Sequence, residues 1–451
     1  MKAPAILNDR RGDFSMKWSR FIYKTKFNDY YLMLNTLNTA IVALDLNTYK
    51  RINELLTHIS QSTDEELNAL ADMGFIFEDE YDEIDDFYCE LIKEWEHSDS
   101  LKIVLLGTTA CNMACEYCYE NGIERNLQLT PEILKKFHKY VTYLLDRNDE
   151  IKSLYMLIFG GEPTLCWKET MSAVELIENL CDKRSVEFKT GIVTNGYLLS
   201  KEKILDLKRH NCDSIQITLD GPENVHNQRR KLKNGKGSFK QIIDNMHTAL
   251  SANFLKCIDL RINIDKENIF SVEELLSYLS TEFSPKQLDI SLGITCKTVN
   301  SSEKLVASAF SPSETADSLC ALFPVLEKYG FKTRDFYSFD GICVAKTKNS
   351  FVLNPDGTIY RCISMVGRKE LALGSIDELL ESTNLERIFE KNIYESCIAK
   401  KCEFLPLCHT GCKFDAIVDH GSIEPPSCKY DLYCAVNAFL LKNKFQKEEF
   451  E

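Results

Sequence analysis

The sequence lacks three features that would assign a protein to a membrane, to secretion or to nucleic acid. No apolar run approaches the roughly 20 residues that a transmembrane helix needs. The start, MKAPAILNDRRGDFSMKW, has no apolar core of the signal-peptide type. Lysine and arginine, 54 in all, are outnumbered by 68 aspartates and glutamates, whereas nucleic-acid binding calls for the opposite balance. We therefore expect a cytoplasmic protein without a membrane or nucleic-acid partner.

Cysteine, by contrast, is abundant, at 18 of the 451 residues. Because we expect a reducing compartment, this number favours metal ligation over disulfides. Three cysteines lie in the stretch CNMACEYCYE, and eight more lie close to the carboxyl end. The other seven are scattered, and we interpret them as small core side chains.

The length fits two or three domains. Residues 1–98 read as short strands followed by helices. Residues 99–300 alternate strand and helix in six units with nearly continuous apolar strands, which predicts an α/β region with a parallel sheet. Residues 301–342 form a linking segment, and residues 343–451 form a cysteine-rich region. There, FVLNPDGTIYRC predicts a hairpin that turns at Asp356 and Gly357.

Residues suited to chemistry follow the predicted strands, at the sheet edge where parallel α/β folds carry their sites. The three cysteines Cys111, Cys115 and Cys118 follow the first strand, FGGEP the second and VTNG the third. Three thiolates are too few for a four-ligand zinc site and leave one iron of a four-iron cube free for a non-protein ligand. A structural zinc or disulfide motif is the alternative interpretation of this spacing.

The Cx3CxφC spacing, with Tyr117 as the aromatic residue, resembles the radical S-adenosylmethionine (SAM) superfamily over most of the chain. The resemblance implies a partial (β/α)6 barrel in which Cys111, Cys115 and Cys118 hold a [4Fe-4S] cluster that cleaves SAM to a 5′-deoxyadenosyl radical. It also implies a reducing electron donor of the flavodoxin or ferredoxin type. The residues expected to bind SAM are Tyr117, Gly160, Gly161 and Glu162 (amino group), Thr194 and Asn195 (ribose and carboxylate), and Arg261 (carboxylate).

The carboxyl-terminal cysteines resemble a SPASM domain, which holds two auxiliary [4Fe-4S] clusters. Thirteen residues separate Cys343 from Gly357, and four more precede Cys362. The family's crossed connectivity implies that one auxiliary cluster binds Cys343, Cys362 and Cys412, and the other binds Cys397, Cys402, Cys408 and Cys428. Cys397 departs from the family spacing, so the extra Cys434 is a substitute for it or the fourth ligand of the first cluster. One or two zinc ribbons are the alternative.

The amino-terminal pattern resembles the winged-helix-like domain with which peptide maturases bind a leader peptide. The resemblance implies that the leader adds as a strand beside AIVALD, where a proline at Val42 is expected to remove an edge donor. We therefore predict a maturase that installs a crosslink, preferably a cysteine thioether, in a ribosomally made precursor peptide. Alternatives are a carbon–carbon crosslinking maturase, a sulfatase-maturating enzyme that makes formylglycine, and a non-catalytic iron–sulfur or zinc adaptor.

No residue is assigned as the catalytic acid, base or radical partner. The candidates by residue type alone are Asp220, His226, Tyr337, Asp340 and Tyr360.

Overall fold

The computed structural model describes residues 15–57, 64–96, 99–295, 297, 302–332, 343–381 and 392–447. The candidates Tyr337 and Asp340 lie outside these residues. Of the helices in the described ranges, none has both the length and the apolar character that crossing a bilayer requires.

The amino-terminal module contains a three-stranded antiparallel sheet and three helices. The sheet has the order β2 (Ile22–Phe27), β3 (Tyr30–Asn35), β4 (Ile41–Asp45). A separate pair joins β1 (Met16–Trp18) to β5 (Ile76–Glu78). The helices are α1 (Leu46–Thr57), α2 (Glu65–Asp72) and α3 (Glu83–Glu96). Asp64 is the N-cap of α2, and its carboxylate accepts the Leu67 N–H.

Six parallel strands form the centre of the molecule and occur in chain order across the sheet. They are β6 (Ser100–Leu106), β7 (Ser153–Phe159), β8 (Glu187–Thr194), β9 (Cys212–Thr218), β10 (Ile258–Ile264) and β11 (Leu288–Ile294). The connecting helices are α4 (Pro131–Arg147), α5 (Trp167–Asp182), α6 (Lys201–Arg209), α7 (Glu223–Arg229), α8 (Phe239–Ser251) and α9 (Val272–Glu282). The predicted α/β class is thus confirmed.

Strand alternation decides which side chains face the site. In β10, Leu260 and Ile262 are fully buried, whereas Arg261 and Asn263 lie on the opposite, less buried face. The strand therefore packs one face into the core and presents two polar side chains on the other face.

The predicted hairpin is present and extends the central sheet. It comprises β12 (Ser350–Leu353) and β13 (Thr358–Tyr360), followed by β14 (Gly374–Ser375), and β12 pairs in parallel with β6. The sheet therefore continues past the predicted domain boundary at residue 343. The helices after β11 are α10 (Glu303–Ser308), α11 (Pro312–Lys328), α12 (Ile376–Glu381), α13 (Asn392–Ala399), α14 (Leu405–Cys408), α15 (Lys413–His420) and α16 (Tyr430–Gln446). The predicted linking segment thus contains two helices in its described part.

Candidate functional site

The loop after β6 carries Cys111, Cys115 and Cys118. It is fixed by backbone hydrogen bonds, from Ala114 N–H to the Lys231 carbonyl and from Lys233 N–H to the Asn112 carbonyl. The Cys111 sulfur accepts the Met113 N–H at 3.4 Å. The Cys118 sulfur accepts a guanidinium N–H of Arg125 at 3.2 Å. Such donors favour the thiolate form of a cysteine.

One cavity of about 380 Å³ collects all ten residues that the sequence assigned to the SAM-binding site. Its lining includes Cys111, Cys115, Tyr117, Cys118, Gly160, Gly161, Glu162, Thr194, Asn195 and Arg261. These residues belong to separate loops and strand ends, and the parallel register of β6 to β11 brings them together. The same cavity reaches Ser364 and Asp415, which neighbour Cys362 and Cys412 in sequence.

Glu162 is fully buried and joins two strand ends. One carboxylate oxygen accepts hydrogen bonds from the Thr164 hydroxyl at 2.6 Å and the Thr194 hydroxyl at 2.7 Å. The other oxygen accepts the Asn195 N–H at 2.7 Å. The carboxylate therefore holds the TNG segment in place, and only its remaining lone-pair capacity is available to a ligand.

The paired glycines allow a close approach, but of protein backbone rather than of a ligand. A Cβ at Gly160 would lie 2.3 Å from the Thr108 carbonyl oxygen, and one at Gly161 would lie 2.5 Å from that of Ala110. Gly160 also has φ of +141°. Next to the two glycines, Glu162 N–H donates to the Ala110 carbonyl at 2.8 Å. The segment that leads into Cys111 is therefore held close to the end of the second parallel strand.

Tyr117 is at the centre of a polar network that the sequence did not reveal. Its hydroxyl donates to Asp220 and accepts a guanidinium N–H of Arg230 at 2.6 Å. The Arg229 guanidinium lies 5.1 Å from the centre of the Tyr117 ring. Burial is the main cause that raises the pKa of Tyr117 well above its ordinary value, so the phenol is neutral.

The sequence did not point to several other polar lining residues, among them Glu120, Arg230 and Asn263. Burial raises the pKa of Glu120 to about 7, although the Arg125 charge opposes the shift. The dipeptide Arg229-Arg230 was the available signal, but sequence does not tell which arginine faces the cavity.

The cavity fits a polar cofactor. The Thr295 hydroxyl and the Nε of Arg230 are buried without a hydrogen-bond partner among the described residues, and both residues line the cavity. Burial raises the pKa of the Cys111 thiol to about 12, with the charge of Glu162 adding to the shift. Without a metal this thiol is protonated and a poor nucleophile, and a bound metal would displace its proton.

Three carboxyl-terminal thiols form a first group, defined as Cys343, Cys362 and Cys412. The Cys362 thiol interacts electrostatically with the other two. Ser364 N–H donates to the Cys362 sulfur at 3.4 Å. Because Ser364 lines the large cavity, this group lies beside the SAM-binding site.

Four other thiols form a second group: Cys397, Cys402, Cys408 and Cys428. The electrostatic neighbours of these thiols fall within the two sets that the resemblance implies, with Cys397 in the second set despite its unusual spacing. Ligation of clusters by the two sets stays a prediction. Within the described residues, no set of His, Cys, Asp or Glu side chains is close enough to surround a single metal ion.

Cys434 lies on α16, and its main electrostatic neighbours are Tyr430, Glu403 and Asp431. It joins neither group in the part of the chain that the structure describes. The choice between Cys397 and Cys434 as a ligand stays a prediction.

The candidates that were chosen by residue type divide into two kinds. His226 is fully buried between the Asp220 N–H and the Ser238 hydroxyl, and burial lowers its pKa well below the ordinary value. Tyr360 packs in an apolar cluster with Val352. Neither side chain lines the cavity, whereas Asp220 accepts a hydrogen bond from Tyr117 there.

Comparisons with known proteins agree with this geometry. The Radical SAM superfamily model matches residues 105–279. A cysteine-type anaerobic sulfatase-maturating enzyme of Clostridium novyi (strain NT) is 23% identical over 336 residues, which are 68% of this chain and 86% of that enzyme. The radical SAM cyclopropyl synthase TigE of Paramaledivibacter caminithermalis is 25% identical over 49% of this chain and 47% of its own length.

Two solved structures share the fold. Native anSMEcpe with bound AdoMet and a Cp18Cys peptide has a TM-score of 0.59 at 20% identity, covering 77% of this chain and 97% of its own. Streptococcus suis SuiB bound to S-adenosylmethionine has a TM-score of 0.51 at 14% identity, covering 92% and 99%.

The parallel α/β sheet, the three thiols at its strand ends and the polar cavity agree with the Radical SAM match over residues 105–279. This chain is a radical SAM enzyme. The predicted family and the predicted [4Fe-4S] and SAM cofactors are thereby confirmed.

Proposed function

We propose that this enzyme binds the leader of a ribosomally made precursor peptide and joins a cysteine sulfur of that peptide to a carbon of another residue. The observation that carries the proposal is the amino-terminal module, whose sheet ends in an open edge strand. Among the described residues, β4 pairs with β3 on one side and with no strand on the other. An extended peptide can add to such an edge through main-chain hydrogen bonds.

The register identifies which β4 residues face the open side. Asn35 N–H bonds the Ala40 carbonyl, and Leu46 N–H bonds the Asp29 carbonyl. Because hydrogen-bonded pairs alternate in an antiparallel ladder, Val42 and Leu44 also bond to β3. The outward N–H groups therefore belong to Ile41, Ala43 and Asp45, and these are the groups that a leader strand would meet.

The large cavity is the proposed SAM-binding site. Cys111, Cys115 and Cys118 would hold the cluster, and Thr194, Asn195 and Arg261 would orient SAM, with Tyr117 fixed by its network. Together the bound cluster and SAM supply a radical that removes a hydrogen atom from the substrate. The chain's own task is to hold the peptide carbon in this cavity and to exclude water.

The first cysteine group favours a thioether over other products. It holds three thiols in the described residues, one fewer than a closed cluster uses, and it neighbours the cavity. A peptide cysteine could supply the fourth thiolate there. Forming the bond would transfer one hydrogen atom from carbon to the 5′-deoxyadenosyl radical, release one proton from sulfur and pass one electron to a bound iron–sulfur cluster, so the product is lighter than the substrate by two hydrogens.

The relatives support two versions of peptide modification. SuiB has been solved bound to the precursor peptide SuiA. The sulfatase-maturating relatives, matched over 86% of their length in one case, support formylglycine formation as the second candidate. The amino-terminal module is our reason for preferring a precursor peptide with a leader.

The test is co-expression with the short peptide encoded beside the gene, followed by tandem mass spectrometry. A product lighter by two hydrogens, with sulfur retained and the cysteine resistant to alkylation, supports a thioether. The same mass loss with an alkylatable cysteine indicates a carbon–carbon crosslink. Loss of sulfur, with an aldehyde formed on a sulfatase peptide, supports the second candidate and overturns the first.

A further inference from the structure

Two lysine side chains are buried between the carboxyl-terminal cysteine groups. Lys346 is 7% exposed and Lys413 is 3% exposed. Lysine is rarely buried to this extent unless its charge has a partner. Lys346 lies in the turn that follows Cys343, and Lys413 directly follows Cys412.

Neither ammonium group has a carboxylate partner in the described ranges. Lys346 donates to the His409 carbonyl at 2.5 Å. Lys413 donates to the Thr410 hydroxyl at 3.1 Å and the Ile423 carbonyl at 3.3 Å. Neutral acceptors satisfy the N–H groups but leave the positive charge uncompensated, and a buried charge of that kind is costly.

Burial lowers the pKa of both lysines, to about 8 for Lys413, and neighbouring cysteines of both groups oppose that shift. The Lys346 ammonium interacts with Cys343 and Cys412 of the first group and with Cys408 of the second. Lys413 interacts with Cys412 of the first group and with Cys397 and Cys408 of the second. Both side chains also donate to residues that lie between Cys408 of the second group and Cys412 of the first, so each lysine lies beside both groups.

We propose that Lys346 and Lys413 are fixed cations that raise the reduction potentials of the two auxiliary iron–sulfur clusters together. The inference rests on the proposed ligation of those clusters by the two groups. A positive charge beside a cluster favours the form that has gained an electron, and net charge and burial are among the properties that set such potentials. Because each cation lies beside both groups, one substitution should affect both clusters.

The experiment is a redox titration of full-length, anaerobically reconstituted protein, monitored by electron paramagnetic resonance. The background carries Cys111→Ala, Cys115→Ala and Cys118→Ala, so that only auxiliary clusters respond. Lys346→Met and Lys413→Met should each move both auxiliary midpoints to more negative potentials with iron content unchanged. The matched control is Lys429→Met: Lys429 also interacts with Cys412, but its side chain is 40% exposed and paired with Asp415. Solvent screening should leave the midpoints of that variant close to those of the background.

Unchanged midpoints in both Met variants, or an equal shift in Lys429→Met, would overturn the inference. If a Met variant loses iron, its midpoints cannot be compared. Lys346→Arg and Lys413→Arg then test the role of the charge, because arginine keeps it. Retained clusters with the background midpoints support the electrostatic role, and iron loss from the Arg variants as well overturns it. Failure of the proposed ligation is a separate result, because the background protein itself would then bind no auxiliary iron.

Discussion

Arg261 illustrates how one residue's reach depends on a neighbour that has no side chain. Gly293 lies on β11 beside the Arg261 guanidinium, and a Cβ there would be 2.5 Å from Nη2 and 2.6 Å from Nε. Asn263 accepts the Arg261 Nε–H at 2.8 Å and fixes the guanidinium plane. Glycine at position 293 thus leaves the space in which Arg261 can extend toward the cavity.

Gly293→Ala should displace Arg261 and weaken SAM binding roughly tenfold to a hundredfold, since hydrogen bonds to charged groups contribute about 1.5–3 kcal/mol. Equilibrium dialysis of SAM against reconstituted protein measures the affinity, and iron content checks the clusters. Ser291→Ala is the matched control, because Ser291 pairs with Arg261 in the β10–β11 register. Wild-type affinity in Gly293→Ala would contradict the assignment of Arg261 to SAM.

At the residue scale, the sequence predicted side chains whose position follows from a strand end. Thr194 and Asn195 belong to this kind, because the end of a parallel strand fixes where they lie. Arg230 and Asn263 were not predicted, since their approach to the cavity depends on how a helix end and a strand face are turned in three dimensions. The two glycines were predicted as a close approach, but its partner, the backbone before Cys111, is visible only in the structure.

At the scale of elements, local patterns predicted the strands well and their partners less well. The six predicted parallel strands are present, and the hairpin turns at Asp356 and Gly357 as predicted. The pairing of β12 with β6 was not predicted, because it joins segments far apart in the chain and no local signal encodes it. The edge strand β4 was predicted, but the sequence did not tell which of its N–H groups bond to β3 and which face outward.

The direction of each β4 N–H group decides which substitution tests leader binding. Val42→Pro, the choice that the sequence suggested, would remove a hydrogen bond to β3 and damage the sheet. Ala43→Pro removes an outward N–H and leaves the β3 pairing intact, because proline is tolerated at a strand edge. We expect it to lower leader affinity severalfold to about tenfold, the loss of one or two hydrogen bonds of about 1 kcal/mol or less each.

Fluorescence anisotropy with a labelled leader peptide measures that affinity. Ala43→Ser keeps the N–H and is the matched control, and thermal unfolding should be similar for both variants. Equal leader affinity in Ala43→Pro and Ala43→Ser would mean that the leader binds elsewhere.

At the scale of the whole molecule, the amino-terminal module packs directly on the region that carries the second cysteine group. One apolar cluster combines Phe21 and Phe87 of the module with Tyr394 and Leu405, and Cys397 packs against it. Polar contacts add to this interface: Arg20 donates to the Ile398 carbonyl at 2.8 Å, and the Tyr23 hydroxyl donates to the Cys434 carbonyl at 2.8 Å. The module proposed to bind the leader therefore shares an interface with the second cysteine group.

This interface makes removal of residues 1–98 an ambiguous test of leader recognition. Truncation would expose Tyr394 and Leu405, which are 0% and 1% exposed in the whole chain. We therefore use a point substitution in the interface. The Phe87 ring lies 5.9 Å from the rings of Phe21 and Tyr394, so it occupies the centre of the contact.

Phe87→Ala should destabilise the protein by about 3–5 kcal/mol, the usual cost of removing a buried aromatic ring. Because Cys397 packs against the same cluster, iron should be lost first from the second cysteine group, whereas the Cys111 loop is held by β6 and residues 231–233 and should keep its cluster. Iron analysis and SAM cleavage with dithionite, measured as 5′-deoxyadenosine, separate the two effects. Ile92→Ala is the control, since Ile92 is 38% exposed on the same helix. If Phe87→Ala unfolds as the wild type does and keeps all its iron, the module is an independent attachment, and truncation becomes a valid test of recognition again.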